Sequence, residues 1–337
     1  MPDRHEIRIG TRGSQLALWQ ANTVADRIAA AGGSHCRIVV VKTSGDRLQE
    51  APLSEIGGKR LFVKEIEDAL LRGDVDIAVH SSKDMPAVLP DGLTIVGVLP
   101  REDPRDAVVL PHVRSGAASG KPLHGESFPS VPSLDALLSS LPAGPSIGTG
   151  SVRRIAQLKS LLKGGRFTAI RGNLDTRLRK LDEGGYDALV LAAAGLRRLG
   201  FASRISLALP IEVCVPAPGQ GIVAIEARSG DAEMQQLIGR LNDDTAAAAL
   251  QAERALVEAL GGGCQTPIGA MASVVDVERE LELVGVVASL DGSRILRSAE
   301  RGRDPRELGA LVAARLISQG ASEILTGMAG TSGSGSY

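Results

Sequence analysis

Aromatic side chains are nearly missing: one Trp, two Tyr and four Phe make up 2% of 337 residues. A stacking platform for single-stranded nucleic acid needs several rings, so that class of function is excluded. An excess of one charge is missing as well. The chain has 38 Lys+Arg against 39 Asp+Glu, a formal net charge of -1. A polyanion or an anionic membrane surface would draw on a basic surplus that this chain does not have. There is no long apolar run of the roughly 18 residues that a membrane-spanning helix requires, and MPDRHEIRIGTRGSQLALWQ has no signal-peptide core after its charges. Cysteine is scarce: Cys36, Cys214 and Cys264 are an odd number, far apart, which argues for a reducing, cytoplasmic setting. The five histidines form no ligand-spaced pair, so the sequence supports no metal site. No GxxxxGK[ST] motif is present, which disfavours a nucleoside triphosphate.

Arginine is what the chain does have: 30 Arg against 8 Lys. Coding bias produces such a ratio, and so does a ligand rich in carboxylate or phosphate, because the guanidinium fork binds both in two-pronged fashion. Position has to separate the two causes.

At 43% hydrophobic residues the chain can bury several cores, and its length suggests two or three domains. The patterning predicts a strand at Glu6–Ile9, a helix at Ser14–Ala31, a strand at Arg37–Thr43, a helix at Leu61–Arg72, and strands at Val75–His80 and Leu93–Leu99. Residues 111–145 are rich in Ser, Gly and Pro and read as a mobile insertion that ends in a short helix, Leu134–Ser140. A second α/β stretch follows: helix Val152–Leu162, strand Phe167–Arg171, helix Asp175–Asp182 and strand Tyr186–Ala192. Val215–Gly221 reads as a hinge, and Ile222–Glu226 as a strand returning to the first domain. The last unit has a helix at Asp244–Leu260, strands at Ile268–Val275, Leu281–Ser289 and Arg294–Ala299, and a helix at Pro305–Gln319. The expected domains are 1–104 with 220–240, 105–219, and 241–329, with 330–337 a disordered tail. Two similar α/β domains joined by crossing segments make a cleft that closes on small ligands.

Candidate chemistry sits at the strand ends. Lys83 and Asp84 follow a buried strand, where open α/β sheets bind ligands. Arg12 follows the first strand, Arg153 and Arg154 open a helix, Arg171 ends a strand, Arg177 opens the next helix, and Arg197 and Arg198 follow another strand. Cys264 sits in the open loop Gly261-Gly-Gly-Cys264. Taken alone, these residues fit a binding protein for an anionic metabolite, or a thiol acyltransferase using Cys264 that lacks a convincing base because His80 lies far off in sequence.

The stretches Thr11-Arg12, Leu16-Ala-Leu-Trp-Gln20, Lys42-Thr-Ser-Gly-Asp46 and Gly57-Gly-Lys-Arg-Leu-Phe-Val-Lys-Glu65 run in order with Ala78-Val-His-Ser-Ser-Lys-Asp-Met-Pro86 and Arg101-Glu-Asp-Pro-Arg-Asp-Ala107. Arg171-Gly-Asn173, Pro216 to Gly221 and Gly262-Gly-Cys-Gln-Thr-Pro-Ile-Gly269 complete the series. In these residues the sequence closely resembles the porphobilinogen deaminase (hydroxymethylbilane synthase) family. The resemblance implies two domains like periplasmic solute-binding proteins and a third, α+β domain carrying a cofactor cysteine. It implies a transferase of tetrapyrrole biosynthesis, acting as a cytoplasmic monomer on porphobilinogen and built around a covalent dipyrromethane. By resemblance, Cys264 bears that group through a thioether and Asp84 is catalytic. Lys83, Ser81, Thr149, Ser151, Arg153, Arg154 and Arg171 would contact the cofactor, and Arg12, Arg177, Arg198 and Phe62 the substrate. Gly150 departs from the family, which often has a hydroxyl residue there.

Overall fold

The computed structural model describes residues 6–44, 63–112, 130–262 and 266–331. Phe62, Cys264, residues 113–129 of the expected insertion and the end of the expected tail lie outside the described residues.

The first stretch runs β1 (Glu6–Thr11), α1 (Gln15–Ala30), β2 (His35–Val40), α2 (Lys64–Arg72), β3 (Ile77–Ser81) and β4 (Leu93–Val98). Ser14 caps α1 by accepting from Ala17 N at 3.3 Å, which satisfies one of the free N–H groups of its first turn. Gly73 ends α2 at φ 76, a left-handed conformation that costs glycine little. The chain then passes to β5 (Asp106–Val109), α3 (Leu134–Ser140), β6 (Ser146–Gly148), α4 (Val152–Leu158), β7 (Arg166–Thr168), α5 (Leu174–Lys180), β8 (Ala188–Ala192), α6 (Ala193–Arg198) and β9 (Leu207–Ala208). It returns through β10 (Val223–Arg228) and α7 (Ala232–Gly239). The final unit is α8 (Asp244–Ala259), β11 (Ile268–Val274), β12 (Leu281–Ala288), β13 (Ile295–Gly302), α9 (Pro305–Ser318) and α10 (Ala321–Thr331).

The first sheet has the order β2-β1-β3-β10-β4 and the second β7-β6-β8-β5-β9. These are one pattern used twice. Three parallel strands come first, and an antiparallel strand is then inserted between the third and the last. The inserted strand is in each case the first one after the chain crosses over: β5 on the way out and β10 on the way back. Helices flank both sheets because the parallel strands are apolar on both faces. Ile7, Ile9, Val79 and Ile225 pack with Ala21, Val24 and Ile28 of α1 on one side of the first sheet, and Ala78 packs with Ile66 and Leu70 of α2 on the other.

The third sheet, β11-β12-β13, is antiparallel, and α8 and α9 cover one face. At Gly285 an added β-carbon would stand 2.7 Å from both Leu256 and Val312, so this glycine lets both helices reach the sheet.

Several sequence expectations need correction. β5, β6, β9, α6, α7 and α10 have no counterpart among the expected elements. The helix expected to reach Leu162 stops at Leu158, and the strand expected to Arg171 ends at Thr168. Gly330 and Thr331, expected in the tail, belong to α10.

The third unit is fastened to the crossing region by Glu253 of α8, which is fully buried. Its carboxylate accepts from Arg101 Nη1 at 2.6 Å, from Gly219 N at 2.6 Å and from Ala272 N at 2.8 Å. Replacing Glu253 by Ala would strand a largely buried guanidinium and two amides, an expected loss of roughly 3–5 kcal/mol in a urea titration. Glu253→Gln, which keeps part of the set, should cost less.

Candidate active site

Because the parallel strands of each sheet run the same way, their carboxyl ends share an edge, and the chemistry collects there. In the first sheet β1 ends at Thr11, beside Arg12, and β3 ends at Ser81. Ser82–Asp84 then form a short 3-10 turn. The turn is pinned from the returning segment, with Ser82 N donating to Ile222 O at 3.0 Å. A cavity of about 60 Å³ opens here, lined by Arg12, Ser14, Gln20, His80, Ser81 and Asp84 among others. Gln20 Nε2 donates to Ser81 Oγ at 2.9 Å and fixes that hydroxyl at the cavity wall. Under it His80 Nε2 faces Glu226 Oε2 at 3.1 Å, both side chains being buried.

The carboxyl edge of the second sheet carries the other candidates. Thr149 follows β6 and is buried. Ser151 caps α4 and its own N–H points to Thr149 Oγ1 at 3.4 Å. Gly150 has open space around it, since an added β-carbon would meet only Ile170 O, at 3.9 Å. A hydroxyl residue fits there, so nothing in the packing demands glycine. Arg153 and Arg154 in the first turn of α4 are 3% and 7% exposed. Both reach Asp106 at the start of β5: Arg153 Nη1 donates to Oδ2 at 2.6 Å and Arg154 Nε to Oδ1 at 2.9 Å. Burial alone would raise the Asp106 carboxyl, but the two guanidiniums outweigh it and hold it well below the usual carboxylate range.

Arg177 donates through Nε to Gly172 O at 2.9 Å. Burial and the nearby Arg154 lower its pKa, while Asp84 raises it, so the cation of the second domain and the carboxylate of the first feel each other across the cleft. Arg198 donates to Gly221 O at 2.6 Å and lies 5.5 Å over the Trp19 ring of α1, a second bridge between the domains. Burial pulls the Lys83 ammonium down to about 8, with Asp84 and Asp106 supporting it and Arg154 and Arg153 opposing it. Arg171, just beyond β7, is half-buried, and its carbonyl accepts from Lys180 Nζ of α5 at 3.5 Å.

The structure thus brings Arg12, Ser81, Lys83, Asp84, Arg153, Arg154 and Arg177 to one cleft. The loop of Cys264 leaves α8 and enters β11, and of it only the flanks are described, with Gly262 N bonded to Val257 O at 3.0 Å. Among the described residues no group of His, Cys, Asp and Glu could hold a metal ion. Sequence reasoning assigned no role to Asp106, Gln220, Gln20 or Glu226. Asp106 and Gln220 lie within the motifs Arg101–Ala107 and Pro216–Gly221, and those motifs were the only signal available for them.

Comparison with known proteins fits this arrangement. Residues 7–236 match the family model "Porphobilinogen deaminase, dipyromethane cofactor binding domain", and residues 247–318 match "Porphobilinogen deaminase, C-terminal domain". A porphobilinogen deaminase of Acidithiobacillus ferrooxidans is 46% identical over 322 residues, covering 95% of this chain and 97% of its own. That of Moorella thermoacetica is 43% identical over 331 residues, covering 97% and 98%. Among solved structures, the L-cystine solute receptor of Neisseria gonorrhoeae overlays at a TM-score of 0.37 with 12% identity, covering 78% of this chain and 96% of its own. With both family models matched in order and relatives aligned almost end to end, the chain belongs to the porphobilinogen deaminase family.

Proposed function

We infer that the protein joins four porphobilinogen molecules head to tail into the linear tetrapyrrole hydroxymethylbilane, a transferase reaction of tetrapyrrole biosynthesis that releases ammonia at each addition. The observation that carries this reading is one carboxylate, Asp84, at the carboxyl edge of the first sheet, facing cations from both domains. Porphobilinogen has two carboxylates on each ring. A chain of such rings therefore needs many cationic partners and one anion placed for chemistry.

The donor set also suits the dipyrromethane named in the family description. Lys83, Arg153, Arg154 and Arg171 would meet its carboxylates, and Ser81, Thr149 and Ser151 would offer hydroxyls. Its thioether would form at Cys264, on the loop between α8 and β11. When bound, the dipyrromethane supplies the free pyrrole position onto which rings are added. Arg12, Arg177 and Arg198, with Phe62, would orient the incoming porphobilinogen.

In each addition the C–N bond of the aminomethyl group breaks, ammonia leaves, a C–C bond forms and one ring proton is lost. Departure of ammonia makes the incoming pyrrole electron-poor. Asp84 stabilises that positive charge from a half-buried position, where its field is less screened than in water, and takes part in moving the proton. The Arg side chains bind carboxylates remote from the bond changes and so fix the reacting carbons.

Sheet membership supports a division into 1–104 with 220–240, 105–219, and 241–329. The odd, widely spaced cysteines support a cytoplasmic setting and the family resemblance a monomer, while near-neutral net charge and the scarcity of aromatics argue against nucleic acid or a membrane as a partner. Among the described residues, no single helix is long and apolar enough to cross a membrane.

Intact-protein mass spectrometry tests the function. The purified protein should exceed its sequence mass by two pyrrole units. Added porphobilinogen should generate a ladder of further ring additions, with one ammonia released per ring. No mass excess and no ammonia would overturn the reading.

A further inference from the structure

Arg153 and Arg154 do not stand free in the cleft. Arg153 Nη1 and Nη2 donate to Asp106 at 2.6 Å and 3.2 Å, and Nη1 also donates to Val215 O at 2.7 Å. Arg154 donates to the same Asp106 Oδ1, to Val190 O at 3.0 Å, and toward Gln220 Oε1 at 3.5 Å. Gln220 Nε2 closes the network, donating to Asp106 Oδ1 at 2.9 Å and to Pro104 O at 2.6 Å. Pro104 and Asp106 belong to the outgoing crossing, and Val215 and Gln220 to the returning one. One fully buried carboxylate therefore ties the cleft guanidiniums to both segments that connect the two α/β domains.

We propose that Asp106 is a positioning residue of the cleft, the shared counter-ion that holds Arg153 and Arg154 side by side so that ligand carboxylates meet a fixed pair of guanidiniums. Two buried guanidiniums in contact repel each other, and a single carboxylate between them lets both stay. The trio keeps one net positive charge, which is left for the ligand. Asp106 acts through the arginines. This inference rests on the carboxylate-binding role given to the pair above.

The charged and titratable groups around the network come from four elements. They are Lys83 and Asp84 in the turn after β3, Arg153 and Arg154 on α4, Arg177 on α5, and Cys214 on the returning segment. Burial pushes the Cys214 thiol up to about 12, with Asp106 adding to the effect, so it stays neutral. Lys83 is the reporter, because Asp106 supports its charge and both arginines oppose it. Asp106→Asn removes that support and lowers the Lys83 pKa, making more free amine at neutral pH.

The test is acylation of Lys83 in the purified holoenzyme with acetic anhydride across a pH series, read by peptide mass spectrometry, with steady-state kinetics alongside. In Asp106→Asn, Lys83 labelling at pH 7 should rise roughly threefold. The alkaline fall of kcat/KM should move to lower pH, and KM should rise more than kcat falls. Asp106→Glu should restore both. Arg153→Gln, which removes an opposing cation, should reduce the labelling, and this arm stands even if Asp106→Asn does not fold. Wild-type labelling and an unmoved alkaline limb in a folded Asp106→Asn, or unchanged labelling in Arg153→Gln, would overturn the proposal. Labelling does not depend on turnover. Absence of the porphobilinogen ladder with the expected labelling shifts would sink the function and leave the positioning role standing.

Discussion

Asp84→Asn is expected to lower kcat roughly a thousandfold, within the range seen when a preorganised charge or proton-transfer group is removed. The change is isosteric, and the residue occupies a half-buried turn outside the sheet core. The melting temperature should therefore stay close to that of the unmodified protein. KM should change little, because the ground-state substrate is held through carboxylates that bind arginine. The anion at Asp84 matters most once ammonia begins to leave and the pyrrole turns cationic. Ammonia release under saturating porphobilinogen, measured beside a thermal melt, checks both halves. Retention of more than about a tenth of the turnover would remove Asp84 from its role.

Cys264→Ser is expected to abolish turnover by a different route. A hydroxyl is a much weaker nucleophile than a thiolate, so the thioether should not form. The protein should show its bare sequence mass and give no colour with Ehrlich reagent. The fold should survive, because both flanks of the loop are held independently. Gly262 N bonds to Val257 O on one side, and Ala288 N to Pro267 O at 3.1 Å on the other. A Cys264→Ser variant that still carried the mass excess would place the attachment elsewhere.

Much of this cleft was legible in the sequence because it hangs on strand ends. Arg12, Lys83 and Asp84 follow segments whose apolar patterning is strong, and an open α/β sheet directs ligands to that edge. The returning strand was legible too, since Val215–Gly221 breaks both periodicities and an apolar run follows it. What escaped is of two kinds. β6 and β9 have three and two residues, too few for any period to show. The buried polar contacts join residues far apart in sequence: Asp106 to Gln220, His80 to Glu226, Arg101 to Glu253. Local pattern says nothing of such pairs until the chain has folded back. The same limit blurred the arginine surplus. Arg301, paired with Glu282 on the surface of the third unit, and Arg153, enclosed at the hinge, are the same letter in the sequence.

The inserted strands also set an order of events during synthesis. β10 lies between β3 and β4, yet it is made about 125 residues after β4, a delay of roughly 6–25 s at ~5–20 residues per second. Until Val223–Arg228 has left the ribosome, β3 and β4 have no partner between them and the first core stays open on that side. The amino-terminal domain, although begun first, is therefore completed after the strands of the second have all been made.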